Sequence, residues 1–325
     1  QARGRLRGRG IATFLEWTGG NAFVESVRVD VAADGVIELT SATMAMGQGI
    51  ATSYVQLAHD VFGVPPERIR VLQGDTDRAN GFGSAASRSL FTGGAAVRVA
   101  SERTLDAARE LAAEALEAAP ADLVYAAGRF GVAGTDLGVD LFELAARQPA
   151  RRITVSADAR ASAPSWPNAC HVCEVEIDPE TGVVQIVAYA SVNDIGRIVS
   201  PAIVRGQIEG GAVQGIGQAL GERIVYDAAS GQLLSATFMD YALPRADGFR
   251  GFDTVFDESV PCLTNLLGAK GVGELGTVGA TPTVVNAVLD ALASAGLGRE
   301  AETVQMPLTS EVVWRALARL PACQG

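Results

Sequence analysis

Alternating apolar and polar residues predict a β-hairpin in each half of the chain. In the first half, residues 24–31 alternate with a period of two, Asp34-Gly35 supplies a turn, and residues 36–39 resume the alternation. In the second half, residues 173–177 and 183–188 repeat the pattern around a second glycine-containing turn. This period is that of a strand with one buried face, and the turns connect strands that run antiparallel.

A stretch with helical character follows each hairpin. We predict a helix at about residues 52–62 after the first hairpin and another at 207–220 after the second. A strand at 69–73 and a long helix at about 93–118, rich in Ala, Glu and Arg, complete the first half. The polar stretch 157–168 contains prolines and resembles a linker.

The repeated order of hairpin and helix predicts the fold class. We expect an α+β protein of two related lobes, each with an antiparallel or mixed sheet packed with helices. The linker places the first lobe at residues 1–160 and the second lobe at 161–325.

Composition and charge narrow the class of protein. The chain has 325 residues, 48% of them hydrophobic and 19% charged, which allows sizeable cores. Its formal net charge of −11 makes nucleic acid a poor partner. The basic cluster at residues 3–9 is interpreted as a disordered arm or, better, as a junction with the rest of a larger protein.

No apolar stretch reaches the length of a membrane span without interruption by Gly or charge, so we expect no membrane contact. Four cysteines and two histidines are too few for a disulfide framework, which favours a reducing, cytoplasmic location. Cys170 and Cys173 lie three positions apart in a predicted strand. Their thiols should point to opposite faces, so we expect no metal site there.

Glu274 is the strongest candidate for a catalytic base. It stands in the glycine-rich run 268–282, which carries little other charge. The one obvious opposite charge nearby is that of Lys270. A carboxylate in such surroundings has a pKa raised toward the range that suits proton abstraction. The alternative is that Glu274 only accepts backbone N–H groups at the start of a helix.

Two other glycine-rich stretches leave alternatives open. Five glycines in the helix predicted at 207–220 and just before it indicate either tight helix packing or backbone approach to a polar ligand, with Gln207 and Gln214 as amide donors. Gly47-Gln48-Gly49, before the first helix, could similarly offer N–H groups to an anion such as phosphate. It matches neither a P-loop nor a dinucleotide fingerprint.

Several motifs together resemble the C-terminal half of the large, molybdenum-binding subunit of the xanthine oxidase / aldehyde oxidase family of molybdenum hydroxylases. The resemblance covers about residues 10–320. It is carried by these segments: 46–52 (MGQGIAT), 74–77 (GDTD), 83–89 (GSAASRS), 193–197 (NDIGR), 207–219, 270–274 (KGVGE), 279–282 (GATP) and 306–317.

The resemblance implies an activity: oxidative hydroxylation of an aldehyde or an N-heteroaromatic substrate. Glu274 matches the family's base, which takes a proton from a Mo–OH group while a hydride passes to a sulfido ligand. The metal is held by the pterin dithiolene, so no protein ligand to it is expected. Cofactor contacts are expected from three segments and one glycine: Gly47, Gln48 and Gly49; Ser84, Ala85, Ala86 and Ser87; Gln207, Gln214 and Gly215; and Gly273.

The resemblance also implies a molybdopterin cofactor, possibly in its cytosine dinucleotide form, and partners that carry FAD and 2Fe-2S clusters. The N-terminal half of the molybdenum subunit, expected to form the other wall of the pocket, is not in this sequence: it is either a separate chain or a removed segment. We therefore expect the isolated chain to be inactive. Leu275 departs from the smaller residue of many relatives, which predicts a different pocket shape beside the base.

Two alternatives to catalysis remain from the sequence. One is a non-catalytic structural or assembly half of such a complex. The other is a phosphate- or nucleotide-binding module built on the glycine-rich loops, which is weaker because basic residues do not accompany those loops.

Overall fold

The computed structural model describes residues 4–320, which form an α+β protein, and this confirms the predicted fold class. The strands are β1 (Leu6–Leu15), β2 (Val24–Ala32), β3 (Ile37–Ser41), β4 (Ile69–Leu72), β5 (Leu123–Ala126), β6 (Arg129–Val132), β7 (Gly138–Asp140), β8 (Arg152–Arg160), β9 (Asn168–Ile177), β10 (Val184–Asp194) and β11 (Asp253–Asp257). The helices are α1 (Ile50–Phe62), α2 (Ala95–Leu116), α3 (Leu141–Arg147), α4 (Pro201–Leu220), α5 (Leu275–Leu292) and α6 (Ser310–Leu317).

Two four-stranded sheets share one topology. The first has the order β4-β3-β2-β8 and the second the order β11-β10-β9-β1. In each sheet a central hairpin runs antiparallel, an outer strand adds antiparallel on one side, and a strand reached through a helix adds parallel on the other. Helix α1 makes the crossover in the first sheet and α4 does so in the second.

Each sheet buries one face under helices. In the first, alternate residues of β2, such as Val27, Val29 and Val31, are fully buried beneath α2 and α3. In the second, Cys173, Val175 and other residues of β9 pack against α5. The period of two in the sequence therefore identified the buried faces of both hairpins. A small third sheet, β5-β6-β7, extends the first lobe beside α3.

Most of the N-terminal basic segment is a strand, which corrects its interpretation as a disordered arm; its interpretation as a junction with the rest of a larger protein stays a prediction. Strand β1 pairs antiparallel with β9 along its whole length. Arg7 and Arg9 form ion pairs with Glu176 and Glu174 across this ladder, at 3.1 and 2.5 Å. The arginines alternate with small or apolar residues, so their charges share one face while the intervening residues face α5.

The division at residue 160 stays a prediction, and the topology adds a fact that bears on it. Residues 6–15 precede the first lobe in sequence but belong to the second sheet. Strand β8 ends at Arg160, directly before the predicted boundary.

Helix α5 lies at the centre of the second lobe and contacts β1, β9 and α4 through glycines. A Cβ atom on Gly10 would lie 2.0 Å from the carbonyl oxygen of Thr283, and one on Gly276 would lie 2.1 Å from that of Ile208. Gly211 and Gly215 of α4 similarly meet the backbone of α5. These backbone contacts hold the start of α5 tightly between a strand and a second helix.

Helical residues Leu275–Thr303 are apolar and long enough to cross a bilayer by composition alone. The stretch is interrupted by glycines and by Asp290. Leu275, Ala280 and Val284 are fully buried against the neighbouring strands and helix, which is typical of a core helix in a globular protein.

The two cysteines of the CxxC sequence diverge as expected. Cys173 is buried under α5, whereas Cys170 is half-buried on the other face of β9. Within residues 4–320, His, Cys, Asp and Glu form no group suited to holding a metal ion. Cys323 lies outside the described residues.

Candidate functional site

A pocket of about 290 Å³ lies where loops of the two lobes meet. It collects segments distant in sequence: the loop before α1, the loop before α2, the start of α4 and the loop before α5. Its lining includes most of the predicted site residues, namely Gln48, Ser84, Ala85, Ala86, Ser87, Gln207, Gly273 and Glu274. Leu90, Ile203 and Val272 add an apolar surface.

The loop 270–274 brings Glu274 to this pocket because two glycines let it lie against Ser87. A Cβ atom on Gly271 would lie 2.5 Å from the Ser87 carbonyl oxygen, and one on Gly273 would lie 3.1 Å from Ser87 Oγ. The backbone N–H of Glu274 donates to Ser87 Oγ at 3.1 Å. Glycine at position 271 is therefore a condition for this contact, and at position 273 a larger residue would crowd the Ser87 side chain.

Glu274 is an exposed residue at the N-terminal end of α5, and its carboxylate does not cap the helix. Its Oε2 instead accepts a hydrogen bond from Ser87 Oγ at 2.8 Å. The alternative that Glu274 only accepts backbone N–H groups at the start of the helix is therefore wrong. The carboxylate faces a pocket wall made by the other lobe.

The loop that carries Ala85, Ala86 and Ser87 has a strained backbone. Ala86 and Ser87 both have left-handed φ values, 48° and 53°, in the region that favours glycine. Such strain is common at functional sites and persists only where the surrounding structure enforces it.

Arg88 enforces this conformation from inside the protein. Its guanidinium is fully buried, with Nη1 at 2.7 Å from both Glu25 Oε2 and the Gly83 carbonyl oxygen. It also donates to the carbonyls of Ala22 and Val24. A basic residue thus does accompany the glycine-rich loop, contrary to expectation, but its charge is neutralised in the core instead of facing the pocket.

Lys270 is paired with an aspartate and not with Glu274. Its Nζ donates to both carboxylate oxygens of Asp194, at 2.6 and 2.7 Å, and only 9% of the residue is exposed. The backbone N–H of Lys270 donates to the Ile195 carbonyl at 2.9 Å. The segment 193–197, noted in the sequence as a motif, therefore anchors the loop of the candidate base.

A second carboxyl lies close to Glu274, which corrects the expectation that it has little neighbouring charge. Glu16, just after β1, is 5% exposed, and its Oε1 lies 2.9 Å from Ser87 Oγ. Burial raises the pKa of Glu16 to about 7, opposed by the Ser87 hydrogen bond and reinforced by the charge of Glu274. The sequence reading missed Glu16, and the only signal was a carboxylate at the end of an alternating segment, three residues before two glycines.

The loop before α1 is tied to the loop before α2. Ser84 Oγ donates to the Met44 carbonyl at 2.9 Å and accepts from the Met44 N–H at 3.0 Å. The amide of Gln48 closes its own loop, donating to Met44 O at 2.8 Å and accepting from Met46 N–H at 2.7 Å. This wall of the pocket is therefore pre-organised by polar side chains.

Four predicted site residues are not among those that line the pocket: Gly47, Gly49, Gln214 and Gly215. Gly47 and Gly49 shape the loop through φ values of 99° and 72°. Gly215 packs on α5, and exposed Gln214 lies beside Thr277, with Oε1 at 3.2 Å from its hydroxyl. Their contact with a cofactor stays a prediction.

The glycines of α4 support close helix packing, one of the two explanations that the sequence left open, and approach to a polar ligand stays a prediction. Gly211 and Gly215 serve close packing on α5. Gly206 and Gly210 are exposed, and a Cβ atom there would meet nothing within 4 Å. Close packing therefore accounts for only part of the glycine content.

Leu275 is fully buried in a cluster with Ile195, Val204 and Ile208, not in the pocket lining. The expected change of pocket shape beside the base is therefore wrong. At the first position of α5 the side chain points to the core while Glu274 points to the pocket.

The donor set suits a polar organic cofactor that brings its own metal ligands. Amide and hydroxyl groups of Gln48, Ser84, Ser87 and Gln207 lie in or beside the pocket. Among the described residues 4–320, His, Cys, Asp and Glu side chains form no cluster that could hold a metal ion directly. A pterin that holds its metal through sulfur atoms fits this chemistry.

The comparisons define the class of protein. The profile of the molybdopterin cofactor-binding domain family matches residues 1–249. The chain belongs to this family, which confirms the resemblance drawn from its motifs.

Individual relatives are oxidoreductases or subunits of oxidoreductase complexes. The chain is 35% identical over its full length to the 6-hydroxypseudooxynicotine dehydrogenase complex subunit gamma of Paenarthrobacter nicotinovorans and covers 41% of it. It is similar in structure to a Cu,Mo-CO dehydrogenase, with a TM-score of 0.83, 30% identity and coverage of 96% of this chain and 41% of that one. Quinoline 2-oxidoreductase from Pseudomonas putida 86 gives a TM-score of 0.83 and 31% identity, with coverage of 98% and 43%. The chain thus spans about two fifths of the length of these relatives.

Proposed function

We propose that the chain forms one wall of the molybdopterin site in a molybdenum hydroxylase and supplies its base, Glu274. The observation that carries the proposal is the meeting of Glu274 with the loop 84–87 across one pocket. Family membership supports the cofactor, and the hydrogen-bonded carboxylate supports the base.

The residues of this chain have distinct tasks in that reaction. When bound, the molybdopterin supplies the redox chemistry. Glu274 accepts the proton that hydroxylation releases, and Ser87 holds one of its oxygens so that the other is available. Ala85 and Ala86 leave space beside the carboxylate for a substrate.

We propose an aldehyde or an N-heteroaromatic ring as the substrate. Leu90, Ile203 and Val272 give the pocket apolar surface that suits a flat ring, and the polar groups of the same lining would orient it. The names of two relatives include 6-hydroxypseudooxynicotine and quinoline.

We also propose that the remainder of a large subunit covers part of this chain. Phe238, Met239 and Leu263 are 83%, 94% and 95% exposed. Such a concentration of bare apolar side chains between residues 224 and 266 indicates a surface that is covered in the working protein. The coverage of only 41% of a similar subunit supports the same conclusion.

The finer assignments follow from the family alone. They are a cytosine dinucleotide form of the cofactor, separate subunits with FAD and 2Fe-2S clusters, and a cytoplasmic location.

The test uses the intact complex that contains this chain. We expect molybdenum and a pterin in near-stoichiometric amounts, measured by elemental analysis and by fluorescence of the oxidised pterin. Turnover of benzaldehyde or quinoline with a dye as electron acceptor should depend on both. A complex with neither molybdenum nor pterin would overturn the proposal and favour a structural half.

A further inference from the structure

Glu16 is a buried carboxyl that the proposed function does not use. It lies behind the pocket wall and is not part of its lining. Its Oε1 contacts Ser87 Oγ at 2.9 Å, and its buried Oε2 has no hydrogen-bond partner among residues 4–320. A carboxylate held in this way would carry a charge that little in the protein stabilises, whereas a neutral carboxylic acid tolerates the site.

The contacts of Ser87 Oγ require one proton on the two carboxyls. This oxygen contacts the Glu274 N–H at 3.1 Å, Glu274 Oε2 at 2.8 Å and Glu16 Oε1 at 2.9 Å. A hydroxyl has one hydrogen and two lone pairs, and the N–H occupies one lone pair. Ser87 can therefore donate to only one carboxyl, and the other must itself donate to Ser87.

Burial places that proton on Glu16. Glu16 is 5% exposed whereas Glu274 is exposed to the pocket. Burial, together with the charge of Glu274, raises the pKa of Glu16 to about 7 even against a hydrogen bond that Ser87 donates to it. A bond that Glu16 donates to Ser87 instead favours the neutral acid. The neutral acid is thus the form of Glu16 below neutral pH.

The cations on the adjoining segments are engaged elsewhere. The guanidinium of Arg88 pairs with Glu25, and the ammonium of Lys270 pairs with Asp194. The charge that raises the pKa of Glu16 is that of Glu274. The proton on Glu16 is therefore set by burial and by Glu274.

We infer that Glu16 is a positioning residue for Glu274: its neutral carboxyl donates to Ser87 Oγ, and Ser87 donates its single hydrogen to Glu274 Oε2. The chain of bonds is directional, from the interior to the pocket. It fixes the orientation of the Glu274 carboxylate. The catalytic consequence rests on the proposed function, but the order of the hydrogen bonds does not.

The protonation of Glu16 can be tested without turnover. Infrared difference spectra of the intact complex between pH 5.5 and 8.5 should show a protonated carboxyl band that disappears with a midpoint near pH 7. The band should be absent in Glu16→Gln. If the spectra of the wild type and this variant do not differ, the inference is overturned, whether or not the complex contains molybdenum.

The positioning role is tested by two variants of similar size. Glu16→Gln retains a donor for Ser87, and Glu16→Met does not. We expect kcat of the Met variant to be about tenfold below that of the Gln variant, with the same KM. In a Ser87→Ala background the two variants should have equal kcat. Equal kcat with Ser87 present would contradict the positioning role and leave Glu16 as a structural residue only.

Discussion

Lys270 and Glu274 lie four residues apart in one glycine-rich loop, yet their surroundings are opposite. Lys270 is 9% exposed and donates to both oxygens of Asp194. Glu274 is exposed to the pocket, and its carboxylate is bonded to the hydroxyl of Ser87. The loop thus has an anchored end, where the charge is neutralised, and a presented end, where the charge remains available for chemistry.

The difference shows how this chain holds the proposed base with little direct contact. The anchored end fixes the loop by a buried ion pair, and helix α5 fixes the other side by backbone packing at Gly276. The carboxylate between them needs only the contact with Ser87. A substitution at the presented end should therefore lower activity, whereas a substitution at the anchored end should lower the local stability of the loop.

The largest effect is expected at the presented end. Glu274→Gln should lower kcat by about 10²- to 10⁴-fold, because a general base contributes about this much and the amide does not accept the proton. Molybdenum and pterin content should remain at wild-type values. The matched control is Glu311→Gln on the surface of α6. Normal turnover by Glu274→Gln in the intact complex would end the assignment of the base.

At the anchored end, Lys270→Met should destabilise the loop by about 2 to 4 kcal/mol, because it leaves the largely buried Asp194 carboxylate unpaired. The measurement is hydrogen exchange of the amides of residues 268–274 in the intact complex. The double variant Lys270→Met with Asp194→Leu should recover part of the loss. Unchanged exchange in the single variant would show that the ion pair does not anchor the loop.

The helix that carries the loop gives a smaller effect with an internal control. Gly276→Ala should destabilise the packing of α4 on α5 by about 1 to 3 kcal/mol, because its Cβ would overlap the Ile208 backbone. Gly210→Ala, in α4 with open space around it, should stabilise by about 0.5 to 1 kcal/mol. Hydrogen exchange of the α4 and α5 amides compares them. Equal effects of the two changes would contradict the packing role of Gly276.

Much of the fold could be predicted from periodicity, and the exceptions have a physical reason. Both hairpins, the helix before Phe62 and the long helix after the loop 84–89 occur where the pattern placed them. Strand β1 was missed because its partner β9 lies more than 150 residues away. Its arginines were interpreted as a basic cluster and not as one face of a strand. Its alternation was visible, but alternation does not identify a partner.

The candidate site was predictable by residue type and not by geometry. The motifs indicated Glu274 and the loop 84–87, and the fold brings them to one pocket. The sequence did not show that Asp194 would neutralise Lys270, or that Glu16 would lie behind Ser87, because these contacts join segments 76 and 71 residues apart. Long-range pairing of charges depends on the tertiary fold, which no local pattern contains.

The most direct test is a cryo-electron microscopy map of the intact complex. It should show a pterin cofactor beside the loop 84–87 and Gln48, with the Glu274 carboxylate facing the metal and still bonded to Ser87. A cofactor bound at another surface of the chain, or a Glu274 side chain turned away from the metal, would contradict the assignment of this pocket as the molybdopterin site.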